Sequence, residues 1–171
     1  ESGNLHSAQK AFERMAADLP NGEVIVTSDP EVLRHADRLV LPGDGAFPAC
    51  KAALVEKMGL YEALLEAVEE DAKPFLGICV GMQMMARFGH EHQTTPGLDW
   101  IPGDIRPIQP TDPRLKVPHL GLNELVLPRA HPVLAGVKTG YHSYFVHSYP
   151  FALAAITQSI VPRPPHPAIT A

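Results

Sequence analysis

The run Pro74-Phe75-Leu76-Gly77-Ile78-Cys79-Val80-Gly81-Met82-Gln83-Met84 constrains this chain more than any other. It predicts a short apolar strand over 74–78, a sharp turn with a thiol at its tip, and a helix from about Val80 to Phe88. Gly77 and Gly81 flank the cysteine two positions away on each side, giving G-x-C-x-G. That pattern is the thiol counterpart of the G-x-S-x-G elbow, in which a nucleophile rides a strained strand-to-helix turn. Glycine suits such a turn because neighbouring backbone can approach where a Cβ would clash. A cysteine at a helix start faces N–H groups and the positive dipole end, which favour thiolate. The Val80 amide is expected to point where an oxyanion would form. Free cysteines also serve as small core residues, and the two glycines are what favour the catalytic reading.

The flanking pattern predicts how such an elbow is carried. Leu5, Ala8, Phe12, Met15, Ala16 and Leu19 recur at three-and-four spacing, so a helix is expected over 4–19. Glu23–Thr27 reads as a strand closed by Ser28-Asp29-Pro30, and a short helix over 30–36 leads to a strand over 38–41. That strand stops at the breaker residues Pro42-Gly43-Asp44-Gly45. Helical stretches over 47–57 and 60–71 precede the elbow. Strands alternating with helices imply right-handed βαβ units and a mostly parallel sheet covered on both faces. From about residue 96 prolines punctuate the chain, and β-like runs fall at 124–127, 143–149 and 153–157. No internal repeat or long linker divides the chain. The segment 161–167 is proline-rich and reads as extended.

Composition narrows the function classes. The 171 residues, 45% hydrophobic and 19% charged, suit one globular α/β domain. A net charge of −5 gives no basic footprint for nucleic acid, and no apolar run approaches a membrane span. The start at Glu1 reads as clipped. Cys50 and Cys79 suggest neither a disulfide framework nor a zinc site, and a reducing cytoplasm is the expected compartment. His90-x-His92 is expected to be a solvated turn rather than a metal site. His142 and His147 fall on an alternating strand, where packing or a backbone hydrogen bond is the default. Cys50, among alanines on a helix, is expected to face the core. No cofactor or metal is expected.

The elbow, the Pro-Gly-x-Gly loop at 42–45, and the segments Lys116-Val117-Pro118-His119-Leu120-Gly121-Leu122-Asn123-Glu124 and Tyr144-Phe145-Val146-His147-Ser148-Tyr149 carry a resemblance. With the opening Ser2-Gly3-Asn4-Leu5-His6-Ser7, they make residues 2–158 similar to the glutaminase subunits of imidazole glycerol phosphate synthase. Those subunits are class I, triad-type glutamine amidotransferases of histidine biosynthesis. The resemblance implies a flavodoxin-like three-layer α/β fold, with a mostly parallel sheet and helices on both faces. The expected amidotransferase domain covers 1–158, truncated at both ends, and 159–171 form an atypical proline-rich tail. A first strand missing from the sheet would leave its neighbour unpaired.

The resemblance also implies the chemistry. Cys79 would attack the side-chain amide of glutamine, with the Val80 amide and the backbone of Gly43, Asp44 and Gly45 as oxyanion donors. Gln83 and the backbone around Ser148 and Tyr149 would hold the substrate. Ammonia would pass to a (β/α)8-barrel synthase partner in a heterodimer, yielding imidazole glycerol phosphate and AICAR, and Lys116–Asn123 would face that barrel. From its residues alone, Lys116–Asn123 reads as a surface loop.

Two departures stand beside the resemblance. The family's base and its orienting carboxylate belong to a His-Pro-Glu segment. The His-Pro pairs of this chain are His131-Pro132-Val133, expected to be a surface turn, and His166-Pro167-Ala168. A change of reading frame after residue 158 would account for this. Leu122 stands where the family usually carries tryptophan. The alternatives are therefore a catalytically inactive chain that only binds the synthase partner, and, remotely, another Cys-elbow hydrolase such as a peptidase or deglycase. The latter predicts a histidine soon after the nucleophile, and Val80, Gly81 and Met82 offer none.

Overall fold

A computed structural model describes residues 5–112, 114–127 and 130–153. The described chain forms two compact units, one of residues 5–105 with 151–153 and one of residues 106–150.

In the first unit, α1 (Leu5–Ala16) ends three residues earlier than its apolar spacing suggests. α2 (Pro30–His35) starts where Asp29 accepts the Glu31 amide at 2.9 Å and Pro30 presets the first helical φ. β1 (Leu39–Gly43) then crosses over through α3 (Phe47–Val55) and α4 (Leu60–Leu65) to β2 (Phe75–Cys79). The two strands pair in parallel, from Leu39 opposite Phe75 to Gly43 opposite Cys79. A parallel pair needs such a crossover, and α3 covers it with buried Phe47, Cys50 and Leu54. Cys50 thus faces the core, as its alanine-rich setting suggests. α4 continues into a π-helical turn over Glu66–Glu70, which buries Ala67 and Val68. Arg34 bridges Glu31 at 2.6 Å and Glu66 at 2.8 Å, and the Glu66 carboxylate raises the guanidinium pKa further.

Glu23–Thr27 is a correction: these residues join no ladder among the described residues, and Ile25 and Val26 are exposed. A β-rich pattern supplies propensity, whereas a strand also needs a partner.

The helix after the elbow is a second correction. α5 spans only Val80–Gln83, and the chain re-enters a sheet as β3 (Ala86–Glu91). The cause lies downstream. The Met84 carbonyl accepts the Leu98 amide at 2.7 Å, and the Met85 carbonyl accepts those of Trp100 and Ile101 at 2.9 Å. Met84, Met85 and Ala86 are almost wholly buried, so non-local pairing overrides local helix propensity.

β3 pairs antiparallel with β4 (Gln93–Pro96) and parallel with β5 (Ile101–Ile105), which pairs antiparallel with β8 (Phe151–Leu153). His90 is therefore in a strand, not a solvated turn. Its Nε2 lies 3.1 Å from the buried Asp104 carboxylate and its Nδ1 3.1 Å from the Thr94 hydroxyl. Arg87 Nη2 donates to the other Asp104 oxygen at 3.3 Å. His92 sits at the hairpin tip with φ 62°.

In the second unit, β6 (His119–Glu124) and β7 (His142–His147) form an antiparallel pair. Lys116–Asn123, read from its residues as a loop, thus becomes strand from His119 onward. The expected run at 124–127 begins where β6 ends. Ladder-like bonds continue one step, with the Leu125 amide donating to Tyr141 O at 2.6 Å. His119, Phe145 and His147 form a ring cluster on one face, with His119 and His147 edge to face at 5.1 Å. Leu120, Leu122, Tyr144 and Val146 occupy the other face and are exposed. His131 caps a 3₁₀ turn at Pro132–Leu134 by accepting the Val133 amide, which fits the surface turn expected there. Most of the expected strand at 153–157, the tail 159–171 and His166 lie outside the described residues.

Candidate active site

β2 ends at Cys79, the last residue paired with β1 and the first to turn toward α5. Its backbone adopts φ 56°, ψ −117°, a region that a non-glycine residue enters at a cost of about 1–3 kcal/mol. Cys79 is the N-cap residue of α5 and its side chain is exposed. The flanking glycines explain how so sharp a turn fits. A Cβ on Gly81 would lie 1.8 Å from the Leu41 carbonyl oxygen, and one on Gly77 would lie 2.5 Å from the Met82 Cα. The G-x-C-x-G spacing thus lets the start of α5 rest directly on β1 and β2.

The neighbouring loop comes from β1. Gly43, opposite Cys79 in the ladder, is buried against the elbow, 2.8 Å separating its would-be Cβ from the Gly81 nitrogen. Asp44 and Gly45 are exposed, and Gly45 has φ 109°, in the range that favours glycine. The Asp44 carbonyl accepts a 3.5 Å hydrogen bond from the Cys50 thiol. α3 then begins at Phe47, whose amide donates to Glu91 Oε2 at 2.8 Å.

The first unit therefore brings together Gly43, Cys79 and Val80, with Asp44 and Gly45 continuing from Gly43. Val80 is buried directly after Cys79, and Gln83 closes α5 half-buried. Ser148 and Tyr149 belong to the second unit, half-buried just after β7, where the Ser148 carbonyl accepts the Ile108 amide at 2.8 Å. Sequence reasoning assigned Glu91 nothing beyond its proximity to His90 and His92. Its approach to Phe47 depends on β3 pairing, which no local signal announces.

An exposed thiol on a strained turn, beside a glycine-bearing loop that continues from its own ladder partner, can attack a carbonyl carbon and offer backbone donors to the resulting oxyanion. Among the described residues no group of three or more His, Cys, Asp or Glu side chains is arranged to hold a metal ion. No helix among them is long and apolar enough to cross a membrane.

Comparison with known proteins names the chemistry. Residues 2–101 match the SNO glutamine amidotransferase family. The imidazole glycerol phosphate synthase subunit HisH of Ruegeria pomeroyi is 58% identical over 160 residues, covering 94% of this chain and 76% of the relative. The HisH subunit of Cereibacter sphaeroides is 59% identical over 154 residues, covering 90% and 73%. That of Bradyrhizobium diazoefficiens is 54% identical over 152 residues, covering 86% and 70%. The mixed α/β frame is thus that of an enzyme family, and the chain belongs to the glutamine amidotransferases, among the HisH subunits of imidazole glycerol phosphate synthase.

Proposed function

We propose that this chain is a glutaminase subunit in which Cys79 attacks the side-chain amide carbon of glutamine. The observation that carries the reading is the exposed Cys79 thiol on its strained turn, with Gly43 opposite it in the ladder. Attack forms a carbon–sulfur bond and places negative charge on the former amide oxygen. The Val80 amide and backbone amides of Gly43, Asp44 and Gly45 are the donors assigned to that charge. Collapse expels the amide nitrogen as ammonia, which takes up the proton that the Cys79 thiol gives up, and leaves a glutamyl thioester. Water then releases glutamate and restores the thiol. Gln83 and the backbone at Ser148 and Tyr149 are assigned to holding the substrate.

The relatives are named as subunits of a synthase, so this chain works with a partner. We take that partner to be a (β/α)8 barrel that receives the ammonia and makes imidazole glycerol phosphate and AICAR in the cytoplasm. The outer face of the β6–β7 pair supports the assignment of Lys116–Asn123 to the interface. There Leu120, Leu122, Tyr144 and Val146 are each 57–65% exposed, an apolar strip with cross-strand pairs Leu120–Val146 and Leu122–Tyr144.

A second reading, a chain that binds the synthase partner without turnover, is favoured by His166-Pro167-Ala168, where alanine replaces the glutamate of the family's His-Pro-Glu. Glutamate release measured with the barrel subunit present separates the two. Release abolished by Cys79→Ala supports the glutaminase, and no release with partner bound supports the inactive subunit.

A further inference from the structure

The inner face of the β6–β7 pair carries polar side chains to which the glutaminase reading gives no task. His119, Gly121 and Asn123 alternate along β6, and His147, Phe145 and Ser143 stand opposite them on β7. His119 and His147 are half-buried and directly opposed, with ring centroids 5.1 Å apart. Phe145 backs both rings, 6.4 Å from His119 and 6.0 Å from His147. Among the described residues, neither ring makes a hydrogen bond through its nitrogens. The other histidines of this unit are placed differently. His131 accepts the Val133 amide, and His142 lies on the outer face opposite Glu124.

Gly121 leaves room on this face. A Cβ there would stand 3.3 Å from His119 Nε2 and 3.3 Å from Asn123 Oδ1, its two nearest neighbours. The strand therefore keeps an open space framed by an imidazole nitrogen and an amide oxygen. Two imidazoles bound to one tetrahedral ion at about 2.0–2.1 Å hold their ring centres about 5 Å apart. His119 and His147 already stand at that separation. Their interplanar angle of 77° is compatible with it, because each ring can turn about its own metal–nitrogen bond.

We propose that His119, His147 and Asn123 form a binding site for a transition-metal ion, Zn²⁺ in the first place, with water completing a tetrahedral shell. The donors choose the ion. Imidazole suits Zn²⁺, Ni²⁺ and Cu²⁺, whereas Mg²⁺ and Ca²⁺ call for carboxylates and more oxygens. Glu124, the carboxylate next along β6, falls on the opposite face. Residues 106–150 contain no cysteine or methionine to hold a softer ion. With two imidazoles and no charged ligand, the ion exchanges with solvent and does not carry the fold. All three donors belong to the second unit, and no step at Cys79 runs through them. A bound ion ties the first residue of β6 to the last of β7, closing the end of the ladder that precedes Ser148.

The test uses the full chain carrying Cys79→Ala, which removes the exposed thiol as a competing zinc ligand. Zn²⁺ is titrated while the histidine ring signals are followed by NMR. His119 and His147 are expected to shift together and saturate at a single equivalent, with His131 and His142 unmoved and Mg²⁺ without effect. His119→Gln and His147→Gln are each expected to weaken Zn²⁺ binding by more than roughly tenfold, since loss of even an outer partner of a ligand costs that much. Gly121→Ala keeps every donor but fills the space between His119 Nε2 and Asn123 Oδ1, and is expected to cost roughly tenfold as well. No shift of either ring with Zn²⁺ in excess, or a shift of His131 or His142 in their place, overturns the site. Undiminished binding in His147→Gln overturns the shared ion, and undiminished binding in Gly121→Ala overturns its placement. An equal response to Mg²⁺ overturns the choice of metal.

Discussion

Gly81 rests so closely on Leu41 that a methyl group there would lie 1.8 Å from the Leu41 carbonyl oxygen. The obstacle is strand backbone, which cannot rotate aside like a side chain. Gly81→Ala must therefore push α5 away from β1, and overpacking of this kind costs about 1–3 kcal/mol. Urea denaturation is expected to show that loss, together with slower alkylation of Cys79. Wild-type stability and thiol reactivity in Gly81→Ala would show that the elbow is not held by this approach.

Cys79 itself holds φ 56°. Glycine adopts such a conformation without the Cβ penalty, so Cys79→Gly is expected to remove the thiol and yet gain about 1 kcal/mol of stability. Cys79→Ala keeps the Cβ and is expected to gain little. The comparison of the two denaturation midpoints isolates backbone strain from loss of the sulfur.

Asp104 is only 6% exposed and answers to both Arg87 and His90. Removing its carboxylate leaves both donors without their acceptor in a half-covered sheet. Asp104→Ala is expected to destabilise the first unit by about 1–3 kcal/mol, with Asp104→Asn costing less because one oxygen remains. Arg87→Ala should cost less than Asp104→Ala, because the Arg87 side chain is 56% exposed, so water screens its pair, and Asp104 keeps His90 as a partner. Thermal or urea unfolding of the three variants checks the order.

Leu122 is 65% exposed and lies opposite Tyr144, so its side chain contributes little to folding the β6–β7 pair. At an interface anchor, a charged replacement is expected to weaken partner binding by about 1–3 kcal/mol, roughly 5- to 150-fold in Kd, with little change in stability. Leu122→Trp adds aromatic area and is expected to tighten the complex. Isothermal titration with the synthase partner measures both, and indifference of Kd to Leu122→Asp would move the interface elsewhere.

Much of the first unit was legible because its signals are local. Asp29-Pro30 marks a helix start within four residues, and the glycines around Cys79 mark an elbow within five. The α/β class followed from the alternation of such segments. What was not legible depended on partners distant in sequence. Glu23–Thr27 has strand composition but pairs with nothing described, while Met84–Phe88 lost its expected helix to bonds from residues 98–101. Lys116–Asn123 carries no periodicity, yet β7 recruits it from His119 onward as a strand. His90 looked like a turn residue because neither Thr94 nor Asp104 is visible as its neighbour until β3, β4 and β5 are in register. The bond from the Phe47 amide to Glu91 was hidden for the same reason. Sequence carried Cys79 and its glycines; register was needed to see how the loop after β1 lies beside them.

The most direct test of the central claim is mass-spectrometric mapping of the adduct formed by a glutamine-derived diazoketone, with and without the synthase partner. The account predicts a single adduct on Cys79, suppressed by excess glutamine and absent in Cys79→Ala. An adduct on Cys50 in place of Cys79, or labelling of Cys79 that glutamine does not suppress, would contradict a glutamine-directed nucleophile at this elbow.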